Sequence, residues 1–233
     1  VSWVKDKEQL QAAAKSADAA AILVTKDSWF WKMLGGILVA ISVGAMKYSK
    51  FMERFATTIG PVQGYPRGWP SSSVEAVCVH EGEHSKQAVV CGIVTWLALC
   101  VLFGLLAGFN HAWWGGLILG ASLAIFTCFP FWWRPPRIFM AFLGLPLMFL
   151  IYGLLPIPAG FAYFRYRMEL AADQRKWEYM LAHGASDGAI RRRAEGFAKT
   201  ISSGAYLWSV PQAMAVKGFL AAAEETIKEY KEG

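Results

Sequence analysis

Stretches of mixed polarity alternate along the chain with long apolar runs, and the alternation sets the order of its elements. Residues 3–22 interleave alanines and Leu10 with Lys5, Asp6, Lys7, Glu8 and Gln9, the mix of an amphipathic helix. Residues 29–46, "WFWKMLGGILVAISVGAM", are apolar apart from Lys32 and contain a Gly pair. The uncharged part is short for a crossing, so an interfacial or buried helix is predicted as readily as a span. The segment "RFATTIGPVQGY", 54–65, mixes β-branched residues with Gly and Pro and predicts a short strand pair or an edge strand.

Ser71, Ser72 and Ser73 are suited to N-cap a helix that opens at Val74 and Glu75. That helix carries "VHEGEHSKQ" and continues into the apolar run 88–108, long enough to span a bilayer. A turn at Asn110-His111 leads to a second span-length run, 112–133. Arg134-Pro135-Pro136-Arg137 predicts a strong break. The third run, 138–164, holds Pro146, Pro156 and Pro158 and is the least regular. From Arg165 the pattern turns polar, with one helix ending near Gly184 and two more expected over 186–202 and about 211–231. The fold class is therefore mainly α. It is a helical membrane-associated domain with a short β edge segment near 54–65 and a C-terminal helical region. No internal repeat or low-complexity linker divides it, so residues 1–184 form the main body and 185–233 a C-terminal extension of the same domain.

Composition moves the class away from an ordinary soluble protein. The 233 residues are 55% hydrophobic and 17% charged, with a mean hydropathy of +0.33, where soluble domains carry about a quarter charged residues. Between Ala88 and Phe164 the only formal charges are Arg134 and Arg137. The net charge of +6 comes from basic residues that track the flanks of the apolar runs, which reads as anchoring at an interface and not as nucleic-acid binding. Arg191, Arg192 and Arg193 form one basic cluster, read as a solvated helix face, with contact to a phosphate or lipid headgroup as the alternative. Cys78, Cys91, Cys100 and Cys128 make no C-x-x-C pair and are read as reduced, buried small hydrophobes. The polar N-terminus predicts no cleavable signal peptide. Paired tryptophans such as Trp113-Trp114 and Trp132-Trp133 fit an aromatic belt.

Candidate chemistry concentrates in two short segments. In H-E-x-x-H on a helix, His80 and His84 share one face, one turn apart, where both imidazoles can reach a single ion. Zinc suits imidazole and needs a third protein ligand, with one position left to water. Glu81, directly after the first histidine, is placed to take a proton from that water and pass it to a leaving amine. In "RYRMELAAD", 165–173, Glu169 and Asp173 are again i and i+4 on a predicted helix. Glu169 is the candidate third ligand, and Asp173 the candidate acceptor for the distal N–H of a ligating histidine. Tyr179 and His183 are candidates for stabilising an oxyanion. The sequence does not choose between them, and a histidine at a helix C-terminus is also favoured by the dipole alone.

Together, HExxH running into an apolar hairpin and R-x-x-E-x-x-A-D on a later helix resemble integral-membrane zinc metallopeptidases of the HtpX and CAAX-prenyl-protease type. The matching residues are His80, Glu81, His84, Glu169, Ala172 and Asp173, and the likeness covers roughly residues 50–182. Three features depart from it: Gly82 inside the metal helix, the extra carboxylate of Glu83, and the shortness of the chain. The resemblance implies a zinc metalloendopeptidase in which His80, His84 and Glu169 hold Zn²⁺ and Glu81 activates water. It also implies that "FATTIGPVQGYP" is a strand that binds an extended peptide by strand addition. The expected partners are a peptide or protein substrate and membrane lipid, with no nucleic acid; a homo-oligomer or larger assembly is left open. The alternative is a membrane or multi-subunit assembly structural protein whose HEGEH is vestigial.

A shared metal constrains the topology. His84 and Glu169 would lie on one side of the bilayer, so the chain between them crosses an even number of times. Runs 88–108 and 112–133 make the natural hairpin, with His111 at its far tip. Run 138–164 is then interfacial, re-entrant or packed on the protein. Lys86, Arg134, Arg137, Arg165 and Arg167 fall on the side of the site, which predicts an active site facing the cytoplasm.

Overall fold

The computed structural model describes residues 3–18, 21–41, 47–66, 71–109, 116, 120, 134–150, 163–203 and 210–233. The second apolar run, 112–133, therefore lies outside the described residues apart from Gly116 and Gly120, as do His111, Cys128 and residues 151–162 of the third run. What is described is mainly α, with one small sheet, as expected.

The first helix, α1 (Trp3–Ala17), stops five residues short of its expected end because Ile22–Thr25 are drawn into a strand, β1. Helices α2 (Trp29–Ile41) and α3 (Tyr48–Arg54) follow, then the expected hairpin of β2 (Thr57–Ile59) and β3 (Val62–Tyr65). Its turn places Gly60 at φ 56°, a conformation open to glycine. The sheet order is β1-β3-β2, parallel on one side of β3 and antiparallel on the other. The sheet turns one face to a long helix, α4 (Ser71–Phe109), and the other to α2. On the α2 face, Trp31 covers Gly64 so closely that a Cβ there would come within 2.5 Å of its ring.

Over its 13 described residues α2 is about 20 Å long, short of the ~30 Å apolar core of a bilayer. Trp31 is buried against the sheet, while Trp29, Phe30, Met33 and Ile37 are exposed beside Lys32, which leaves much of the outer face apolar.

Helix α4 runs for 39 residues, about 58 Å. It begins at Ser71, so the three serines form its first turn instead of capping it. Its first half is packed by α1 and the sheet, through Leu10, Ala13, Ala14, Leu23, Tyr65, Val74, Cys78 and Val79. Further along it meets α5 (Arg134–Leu143) and α6 (Leu145–Phe149). The Arg-Pro-Pro-Arg stretch read as a break is thus the first turn of α5. Prolines are tolerated there because first-turn N–H groups have no intrahelical acceptor. The crossing is backbone on backbone: a Cβ on Gly92 would lie 1.8 Å from the Met140 carbonyl oxygen, and one on Gly144 2.0 Å from that of Ala88. Glycine at both positions is what permits so close an approach of the two backbones. The described part of the third run is therefore packed on the protein. Arg137 is not a free lipid anchor, because it forms an ion pair at 2.9 Å with buried Asp18 at the end of α1.

The C-terminal region is three helices, α7 (Tyr163–Ala182), α8 (Asp187–Ile201) and α9 (Gln212–Glu232), matching the expected spans. Ser186 caps α8 by accepting from the Ala189 N–H. Trp177, Ile190, Ala194, Ile201, Phe219 and Ala223 fill the core between them. Arg191 bridges to Glu224 across α8 and α9, and Arg192 and Arg193 stay exposed, in keeping with a solvated face. Cys78, Cys91 and Cys100 are free and buried.

Candidate metal centre

The i, i+4 spacing stacks His80 and His84 on one side of α4, and α7 brings Glu169 against both. His80 Nε2 and His84 Nε2 are 3.2 Å apart. Glu169 Oε2 stands 3.4 Å from the first and 3.5 Å from the second. All three residues are buried. These atoms could hold one metal ion, and their spacing can be tested against one. A tetrahedral ion with ligands at ~2.0–2.1 Å separates its ligand atoms by about 3.3–3.4 Å, close to all three sides of this triangle.

The outer hydrogen bonds decide which nitrogens carry lone pairs. Asp173, fully buried, accepts from His80 Nδ1 at 3.1 Å. Gln87 donates its amide to the Met168 carbonyl at 2.9 Å, which turns its oxygen toward His84 Nδ1 at 2.8 Å. Both Nδ1 atoms are therefore donors, and in the neutral rings both Nε2 atoms are acceptors. Glu169 Oε2 has no hydrogen-bond partner. The three ligand atoms thus converge on one buried point, where a shared cation relieves the crowding of their lone pairs. A proton can play the cation's part: burial alone would lower both imidazoles, but Asp173 and Glu169 raise His80 to about 9 and Glu169 raises His84. The charged rings in turn outweigh the burial of Glu169 and hold its carboxyl well below the usual carboxylate range. Asp173 is likewise depressed, with Lys176 and His80 prevailing over its burial.

Glu81 is buried and held from the sheet: the Thr58 hydroxyl donates to its Oε2 at 2.6 Å and lies 3.2 Å from its backbone carbonyl. One turn on, Gln63 donates to Ser85 at 3.2 Å, so the strand pair is fastened to the metal helix by polar contacts. The backbone of Thr58 can also be placed. Ile22 N–H bonds to Pro61 O and Lys26 N–H to Tyr65 O, so alternate residues of β3 turn toward β1. Val62 and Gly64 then face β2, where they pair with Ile59 and Thr57. Thr58 consequently points its own N–H and C=O out of the outer edge of β2, where no further strand pairs among the described residues.

Tyr179 and His183 are not brought to the metal ligands. Tyr179 lies ten residues beyond Glu169 on α7, about 15 Å along its axis, and His183 follows just past the end of the helix. Tyr179 donates to Glu75 at 3.3 Å, and His183 is exposed and stacked on Tyr179. Burial raises the Tyr179 pKa, and Glu75 raises it further. Of the two motif departures, Gly82 is buried within the helix and Glu83 pairs with Lys86 at 3.2 Å.

Four contributors carried no sequence signal: Gln87, Thr58, Lys176 and Lys26. Lys26 is buried on the other face of the sheet, donating to the Phe51 carbonyl and to Thr57 Oγ1 at 3.1 and 2.7 Å, with its ammonium 3.7 Å from the Phe51 ring centroid. Among the described residues, α4 is the helix long and apolar enough to cross a membrane, by length and composition. No family model, curated protein or solved structure matches this chain.

Proposed function

We propose that this chain is a zinc-dependent metalloendopeptidase acting on peptide bonds at a membrane surface. The observation that carries the proposal is the triangle of convergent acceptors, His80 Nε2, His84 Nε2 and Glu169 Oε2, at 3.2–3.5 Å with both rings oriented from outside. Two imidazoles and one carboxylate are a donor set suited to zinc with one position open. Zinc held there supplies Lewis acidity toward a carbonyl and toward water.

The protein's own side chains do the rest. Glu81 accepts a proton from the attacking water and returns it to the leaving amine. Thr58 fixes the rotamer of that carboxylate through its hydroxyl. The outward N–H and C=O of Thr58 suit an extended peptide added as a further strand, with the same residue touching the base and the substrate backbone. The resemblance to HtpX and CAAX-prenyl-protease enzymes supports the same reading.

What supports the membrane setting is α4, whose apolar half leaves Val90, Val94, Leu97, Val101, Leu102 and Leu105 exposed. In that setting the contact of Glu169 with both histidines asks for an even number of crossings between residues 88 and 163, the number expected from the sequence of runs 88–108 and 112–133. Lys86, Arg165 and Arg167 beside the site favour the cytoplasmic face.

The test is metal content and peptide cleavage by the purified protein beside Glu81→Gln and His84→Ala. We expect stoichiometric zinc in the parent and in Glu81→Gln, loss of zinc in His84→Ala, and loss of cleavage in both variants, about 10²–10⁴-fold for Glu81→Gln. A zinc-replete parent without metal would overturn the proposal and favour the structural role.

A further inference from the structure

The helices after Gly184 lie outside the two motifs, yet one of their side chains reaches the cluster. Phe197, on α8, meets the His80 ring edge-on, with centroids 5.9 Å apart and planes at 74°. Lys176, on α7, sets its ammonium 5.4 Å from the centroid of that same Phe197 ring, within cation–π range. Lys176 also forms an ion pair with Asp173, and Asp173 accepts from His80 Nδ1. The four side chains close a loop: His80, Asp173, Lys176, Phe197, and back to His80.

The position of Asp173 shows what the loop is for. The carboxylate is fully buried, and His80 and Lys176 both bond to Oδ1 while Oδ2 has no partner. Its orientation therefore depends on one oxygen held from two sides. Without Lys176, the carboxylate is buried against an imidazole with no counter-charge, and nothing on the far side resists its rotation. A turned carboxylate releases the His80 N–H, and the ring then loses both its plane and its tautomer.

We propose that Lys176 is a positioning residue of the metal centre. Acting through Asp173, it keeps His80 Nε2 aimed at the ion, and Phe197 holds Lys176 in place from the C-terminal helices. This rests on the metal reading above and assigns a role to residues 185–233, which tie α8 to the geometry of the site.

The experiment uses the full chain, titrated with Zn²⁺ and separately with Co²⁺ as a spectroscopic probe. Lys176→Met is expected to weaken zinc binding about 10- to 100-fold, the usual loss for an outer partner, and to alter the visible Co²⁺ spectrum. Lys176→Arg, which keeps the charge, is expected to restore both. Should Lys176→Met fail to fold, Phe197→Leu removes the ring under the ammonium and is expected to shift the spectrum in the same direction with a several-fold weaker affinity. If the parent binds no metal, both the metal reading and this inference fall. If the parent binds and the variants match it in affinity and spectrum, the positioning role alone falls.

Discussion

Two stretches of one helix, Val74–Ser85 and Val90–Leu105, bury opposite things. In the first, His80, Glu81, Glu83, His84 and Ser85 are all buried, packed by the sheet, α1 and α7. In the second, Val90, Val94, Leu97, Val101, Leu102 and Leu105 are exposed. A soluble amphipathic helix separates polar from apolar around its axis. This one separates them along it. The polar end is buried with its side chains bonded to neighbouring elements, and the apolar end leaves large side chains exposed, the surface that the proposed membrane setting would cover.

Metal removal acts on the polar end and should have the largest effect. Zinc at a thousandfold excess over its Kd stabilises a folded site by about 4 kcal/mol. A chelator is therefore expected to lower the melting temperature of the parent and leave His84→Ala unmoved. Equal shifts in both proteins would mean that the buried acceptors hold no ion. At the apolar end, Leu97→Lys places a charge mid-span and should cost about 2.5–3.5 kcal/mol of insertion. The expected result is a fall in the membrane-bound fraction after carbonate extraction, with zinc content unchanged in the protein that remains folded. Retention of Leu97→Lys in the membrane at the parent's level would show that this half of α4 is not in lipid.

The smallest effect probes the sheet that backs the polar end. Burial lowers the pKa of Lys26 from 10.5 to about 7, with the Glu81 carboxylate opposing that shift only in part. Below pH 7 the lysine is charged in both the folded and the unfolded chain, and the burial penalty is felt in full. Between pH 7 and 10.5 the unfolded chain keeps a proton that the folded chain has released, so stability rises with pH across that window. The melting temperature of the parent relative to Lys26→Met is therefore expected to increase from about pH 6 to about pH 9. A difference independent of pH would show that Lys26 does not titrate in the folded protein.

The buried end was legible where residue type and helical spacing coincide. His80 and His84, and Glu169 and Asp173, sit i and i+4, and two such pairs on two helices needed only contact between the helices to become a cluster. Thr58, Gln87 and Lys176 were not legible, since each is an ordinary polar residue until a strand register or a helix crossing gives it a partner. Lys26 reads as a solvated charge because nothing local indicates Phe51 and Trp31 around it. β1 escaped for a similar reason: four residues between a helix end and a turn acquire strand character by pairing with β3, forty positions on. Tyr179 and His183 stand away from Glu169 because helical rise separates them, and Tyr179 is engaged with Glu75 of α4 instead.

The unbroken backbone of α4 also has a mechanical meaning. From His84 to Ala88, where the apolar half begins, is one turn, about 6 Å. At Ala88 and Gly92 the helix is clamped to α5 and α6 with no side chain between the backbones. There is no hinge in which depth and height could vary separately. In the proposed membrane setting, the cluster would stand at a set clearance above the hydrocarbon, like a gauge fixed to a piling. A thicker or thinner bilayer would then change the height at which Glu81 stands over the membrane surface, and with it the reach of the proposed peptidase.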